Sequence, residues 1–151
     1  MELSDRIGSD MKEAMRSGEK LRLETLRSLR AVMLELEKSG KDNVTDDDEL
    51  KAVMNQAKRR KDAAEQFRAA GRDDLAAKED AELVFIELYL PKQLSDDDIK
   101  AEVNKIVQEA GASGPGDFKI VMPKAMAAMR GRADGSRVQA AVKSALEGSA
   151  G

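Results

Sequence analysis

Tyr89-Leu90-Pro91-Lys92-Gln93-Leu94-Ser95-Asp96-Asp97-Asp98-Ile99 is the stretch that decides how this chain folds. Pro91 has no amide hydrogen and disfavours a helical residue before it, so a helix arriving through the apolar run Leu83 to Leu90 must stop there. Just beyond, Ser95 followed by three aspartates is a helix start. Its hydroxyl can accept from a first-turn N–H, and the acids sit where the helix dipole favours negative charge. One helix closing and another opening around a short polar segment mark a boundary. The predicted domains are residues 1–92 and 93–147, with 148–151 as a frayed tail.

On either side of this boundary the apolar residues recur at spacings of three and four, which predicts an all-α chain. Leu3, Ile7, Met11, Ala14 and Met15 form the stripe of a helix from Ser4 to Ser17, broken at Gly18. Leu23, Leu26, Leu29, Met33 and Leu36 form that of a helix from Glu19 to Lys38. Thr45 with Asp46, Asp47, Asp48 and Glu49 opens a third, which carries Leu50, Val53, Met54, Ala57, Ala64 and Phe67 inward and closes at Gly71. Asp73 or Asp74 caps a fourth, apolar on nearly all sides near its end. After the boundary come three helices. The first buries Ile99, Val103, Ile106, Val107 and Ala110. The second carries Phe118, Val121, Met122, Met126 and Met129, with Pro123 expected in its first turn or at a kink. The third, capped by Asp134, carries Val138, Ala141, Val142, Ala145 and Leu146. The expected fold is an N-terminal domain of about four helices and a small C-terminal three-helix domain.

The 151 residues include no Cys, His or Trp, and 3% are aromatic. Thiolate nucleophiles, Ser-His-Asp machinery, disulfides and ordinary zinc or haem sites are thereby excluded. No phosphate-binding glycine loop, nucleophile elbow or dinucleotide fingerprint is present, so no catalytic residue and no cofactor are assigned. Tyr89, the sole tyrosine, lies within an apolar run and is expected in the core. The acid clusters at Asp46 to Glu49 and Asp96 to Asp98 are explained as helix starts, so no metal site is assigned. Neither a membrane-spanning run nor a leader peptide is read, and the expected location is the cytoplasm.

Charge is where the sequence points to partners. The net charge of −3 hides an uneven distribution: residues 118–151 hold six basic side chains and two acidic ones. Within them, Arg130-Gly131-Arg132-Ala133-Asp134-Gly135 could bring two guanidinium forks and backbone N–H groups to one phosphate at a helix N-terminus. The other reading is two turn glycines, a capping Asp134 and solvated or paired arginines. The candidate nucleic-acid contacts are Lys119, Lys124, Arg130, Gly131, Arg132, Arg137 and Lys143. A secondary basic patch is Lys58, Arg59, Arg60 and Lys61. Four consecutive helical residues point in four directions, which favours a snorkelling or salt-bridged role there.

Four segments together resemble the GatB/YqeY family, and most closely its stand-alone YqeY type: RLETLRSLRAVMLELE at 22–37, KRRKDAAEQFRAAGRDDLAAKEDAEL at 58–83, YLPKQLSDDDI at 89–99 and VMPKAMAAMRGRADGSRV at 121–138. The resemblance extends to the tail of the B subunit of the glutamine-dependent aspartyl/glutamyl-tRNA amidotransferase, a tail that helps hold the tRNA body. It implies the two-part helical molecule, with Met122, Met126, Gly131, Arg132, Ala133 and Asp134 in the signature of the C-terminal domain. Departures at Lys119-Ile120 and at Pro123 imply a different start to that helix. The family label is carbon–nitrogen ligase with glutamine as amide donor, but the catalytic module of the B subunit is absent from this chain. The implied role is therefore a non-catalytic tRNA-binding or tRNA-associated accessory. The alternatives are a helical protein–protein module, docking a partner in translation through Leu83 to Leu90 or Met122 to Met129, and a component of the ligase activity itself.

Overall fold

The computed structural model describes residues 2–40 and 42–149. They form seven α-helices and one 3-10 turn: α1 (Glu2–Ser17), α2 (Lys20–Glu37), α3 (Asp46–Ala69), α4 (Asp73–Glu87), α5 (Asp96–Ala110), the turn Pro115–Asp117, α6 (Phe118–Ala128) and α7 (Gly135–Ser149). Packing separates the chain into two units, Met1–Pro91 and Lys92–Gly151. Of the tail expected to fray, Gly148 and Ser149 continue α7, while Ala150 and Gly151 lie outside the described residues.

In the first unit Ile7, Ala14, Leu26, Leu29, Met33, Val53, Ala57, Ile86 and Tyr89 form one buried cluster. Its small members let helix axes approach closely, which suits a chain with so few aromatics. Met15, expected on the α1 stripe, is 57% exposed. Ala14 stands one helical step away and takes the inward position, seven residues from Ile7. A serine also joins the buried side: Ser4 accepts a hydrogen bond from Nη1 of Arg30 at 2.8 Å, which ties α1 to α2.

Thr45 starts α3 with a reciprocal cap, its hydroxyl accepting from the N–H of Asp48 at 3.1 Å and the Asp48 carboxylate accepting from the N–H of Thr45 at 2.9 Å. The start of α4 differs from expectation. Arg72 is the N-cap and makes no side-chain cap bond, and Asp73 and Asp74 occupy the first turn instead. The end differs as well: α4 stops at Glu87, and Leu88 to Leu90 turn ahead of Pro91. The run that read as apolar all round is divided by this geometry, with Ile86 and Tyr89 buried and Val84 and Leu88 exposed.

The second unit is built on Ile99, Val103, Ile106 and Val107 of α5, Val121, Ala125 and Met129 of the α6 region, and Ala133, Val138, Val142 and Leu146. Gly111 closes α5 in the left-handed conformation (φ 65°), as a C-terminal glycine is suited to do. Pro123 stands in the interior of α6, beyond its first turn, and the helix continues through it. The carbonyl deprived of its partner is that of Lys119, in the exposed first turn, where water can donate to it.

Ser95 starts α5 with the same reciprocal cap as Thr45, and its backbone N–H, then its hydroxyl, hold the Asp98 carboxyl below the usual aspartate range. A lowered folded-state pKa stabilises above the ordinary value of about 3.9 and ceases to do so as pH falls through the folded value. Ser95→Ala is expected to cost the C-terminal unit about 1 kcal/mol in denaturant unfolding. The gap in midpoint between wild type and Asp98→Ala should shrink from about pH 7 to about pH 3; an unchanged gap would show that the carboxylate charge is not its source.

Candidate nucleic-acid interface

The corner between α6 and α7 holds Arg130 to Gly135, for which the sequence offered both a phosphate-binding loop and a turn with a capping Asp134. Gly131 adopts φ 76°, a left-handed turn that L side chains rarely enter, and this folds Arg132 back so that its N–H donates to the Met129 carbonyl at 3.0 Å. The guanidinium of Arg132 donates to the Ala128 carbonyl at 2.6 Å, satisfying an acceptor at the end of α6. Outward from the corner, Nε2 of Gln93 donates to the Gly131 carbonyl at 2.8 Å, and the Leu94 N–H donates to the Arg132 carbonyl at 2.8 Å. The segment that leads into α5 is thus fastened to the corner by two hydrogen bonds.

The start of α7 is similarly engaged. Asp134 accepts from the N–H and the hydroxyl of Ser136, while its backbone carbonyl accepts from the N–H groups of Arg137 and Val138. Nε and Nη2 of Arg137 both donate to Oδ1 of Asp96, at 3.0 and 2.6 Å. The carboxylate of Asp134 therefore fills the position that an incoming phosphate would take at this helix terminus.

The seven candidates accordingly separate. Gly131 is buried, and Arg132 and Arg137 hold internal partners. Lys119 and Lys124 are exposed on α6, and Arg130 is exposed two residues past its end. Beside them Ile120 and Met126 are 52% and 43% exposed, and α6 itself carries no acidic residue. Lys143 is exposed on α7, at a cleft with Pro115, Phe118, Leu146 and Glu147. The secondary patch lies in the other unit. There Arg60 is taken into a network between α3 and α4, donating to Glu82 at 2.9 Å and to Gln56 at 3.1 Å with Glu79 at 3.8 Å. Lys58 and Arg59 are exposed and Lys61 is half-buried.

Gln93 and Leu94 were not singled out by the sequence, since a loop residue whose amide reaches a distant carbonyl leaves no periodic signal. The exposure of Ile120 and Met126 had a signal: Ala125 lies four residues from both Val121 and Met129 and completes a narrower buried stripe. Tyr89 is buried and donates to Asp10, with the Arg6 guanidinium 4.8 Å from its ring centre. Burial, and then that hydrogen bond, push its phenol above the usual range, so it stays protonated at neutral pH. Among the described residues no group of three or more acidic side chains could hold a metal ion, and no helix is long and apolar enough to cross a membrane.

A family profile described as Yqey-like protein matches residues 4–146, spanning both units. Altered inheritance of mitochondria protein 41, mitochondrial, of Pyrenophora tritici-repentis is 32% identical over 130 residues, covering 85% of this chain and 71% of the relative. An uncharacterised protein of Schizosaccharomyces pombe is 34% identical over 90 residues, covering 60% of this chain and 73% of the relative.

Two glycines of this corner should respond differently to alanine. Gly131→Ala forces a side chain into the left-handed region and is expected to destabilise by about 1–2 kcal/mol. At Gly135 a new Cβ would meet the terminal methyl of Met126 at 3.3 Å, a flexible group that can move, so Gly135→Ala should be close to neutral. Thermal melts of the two variants check this order, and equal losses would contradict it.

Proposed function

We propose, from the premise that the chain belongs to the Yqey-like protein family, that it is a non-catalytic tRNA-binding accessory whose contact surface is the outward side of α6. The observation that carries this reading is the exposure of Lys119 and Lys124 on a helix without an acid, and of Arg130 just past its end. Cations so arranged neutralise successive phosphates and release counterions, which favours binding to nucleic acid backbone of any sequence. With 3% aromatics, recognition would be led by shape and backbone, with little base stacking.

Arg132 of the corner acts here at one remove. Arg132 and Gly131 hold α6 and the α5 approach in place, and so fix where the α6 cations stand. Amide transfer is assigned to an enzyme that this chain assists, and the cytoplasm is the compartment proposed. The word mitochondrial belongs to the name of the Pyrenophora relative.

A second reading, docking to a partner protein in translation, draws on Val84 and Leu88, which are 62% and 63% exposed one helical turn apart at the end of α4. Large apolar side chains left together in water are a common mark of such surfaces.

tRNA titrations over a range of salt test the first reading. Replacing Lys119, Lys124 and Arg130 together by Ala should weaken binding and lower the salt slope by about one for each phosphate that is no longer neutralised. A Val84→Ser, Leu88→Ser variant should bind tRNA like wild type. If the triple variant keeps wild-type affinity and slope, α6 is not the binding surface; glutaminase or transamidation activity from the isolated chain would contradict the non-catalytic assignment.

A further inference from the structure

We propose that the cleft beside the 3-10 turn of the C-terminal unit is a subsite for one unstacked nucleotide, with its base against Phe118 and its phosphate on Lys143. It rests on the RNA-binding reading above and adds to it a contact that a smooth backbone surface lacks.

Phe118 is the sole aromatic residue between Lys92 and Gly151, and it is not sealed in the core. It is half-buried at the core's edge, and with Pro115 and Leu146 it lines an open cleft of about 320 Å³. That volume is at the lower end of small-molecule sites and suits a single base. The mouth carries a cation and an anion, Lys143 and Glu147. They are four residues apart on α7, where such side chains can reach one another, yet no ion pair joins them. The order Lys then Glu is the weaker orientation for that pairing, which leaves both groups available to a ligand.

The chemistry of the walls selects the ligand. An aromatic and two aliphatic side chains receive a flat apolar ring, Lys143 attracts a phosphate, and the Glu147 carboxylate accepts from ribose hydroxyls or an exocyclic amine while repelling phosphate from its own side. A nucleotide with an unpaired base meets all three demands. A base held within a duplex cannot reach the cleft.

The test uses the full chain. 5′-AMP is titrated while the Phe118 ring protons are followed by NMR. Retention of an oligoadenylate and of an RNA duplex of equal length is measured for wild type, Phe118→Leu, Lys143→Ala and Glu147→Gln. Phe118→Leu keeps apolar volume but removes the stacking face, so it should weaken oligoadenylate binding about ten-fold and leave duplex binding unchanged. AMP should shift the Phe118 ring in wild type and do so far less in Lys143→Ala, an arm that stands even if Phe118→Leu folds poorly. No ring shift with AMP, or loss of oligoadenylate and duplex binding by the same factor, overturns the subsite. tRNA retention that depends on Lys119, Lys124 and Arg130 but not on Phe118 or Lys143 would leave the accessory reading intact and remove this one. A ring shift with AMP in a protein that retains no tRNA would do the reverse.

Discussion

The C-terminal unit depends on one corner, where Gly131 turns left-handed and the segment before α5 is pinned to it. The N–H of Leu94 and the amide of Gln93 reach the carbonyls of Arg132 and Gly131, groups that a helix end would otherwise leave unsatisfied. With those bonds made, α5 and α7 must begin side by side, and Arg137 can meet Asp96 across their starts. That pair is well exposed and contributes little by itself. The corner also decides which cations remain outside. A guanidinium that satisfies the Ala128 carbonyl is committed to structure, while Lys119 and Lys124 of α6 face solvent.

The N-terminal unit meets a different demand, to pack four helices with little aromatic volume. Alanines at 14, 57, 64 and 76 are buried, and polar side chains occupy part of the interior with partners of their own. Arg60 is the clearest case, its Nε side shared between Glu82 and Glu79 and its Nη1 donating to Gln56. Thr25 returns its hydroxyl to the Leu21 carbonyl within α2. Among the described residues no buried side-chain nitrogen or oxygen is left without a partner. Satisfaction of this kind matters because an orphaned buried donor costs more than a made hydrogen bond gains.

Local chemistry made much of the fold legible. Thr45 and Ser95 each stand three residues before an aspartate, and both form reciprocal caps. The α5 stripe is the buried stripe, because its apolar spacing admits one inward face. Sequence was less decisive where two neighbours compete for one inward direction. Met15 yields to Ala14 and Met126 to Ala125, since closely packed helices prefer the smaller residue at the contact. Buried Ser4 was hidden for a related reason, because its partner Arg30 lies far off in sequence, whereas buried Gln56 meets Arg60 one turn along its own helix. For the candidate site, the basic character of residues 118–151 was visible in composition. That Arg137 and Arg132 are engaged was not, because Asp96 and the Ala128 carbonyl claim them only after folding.

The 3-10 turn at Pro115–Asp117 connects these two levels. Pro115 fixes one backbone angle, the N–H of Asp117 donates to the Gly114 carbonyl, and the Asp117 carboxylate accepts from the N–H of Ser113 at 2.9 Å. So tight a turn brings the chain into α6 with Phe118 as its first residue, whose side chain leans back toward the helix start with no preceding turn of α6 beneath it. Val121, Ala125 and Met129 then occupy the interior, and the unit's largest apolar side chain is displaced to the rim. Packed against the core on one side, the phenyl ring leaves a flat face at the rim of the cleft that Lys143 also lines. The same constraint that starts α6 therefore puts an aromatic face and a lysine at one cleft, in a helical unit otherwise without aromatic rings.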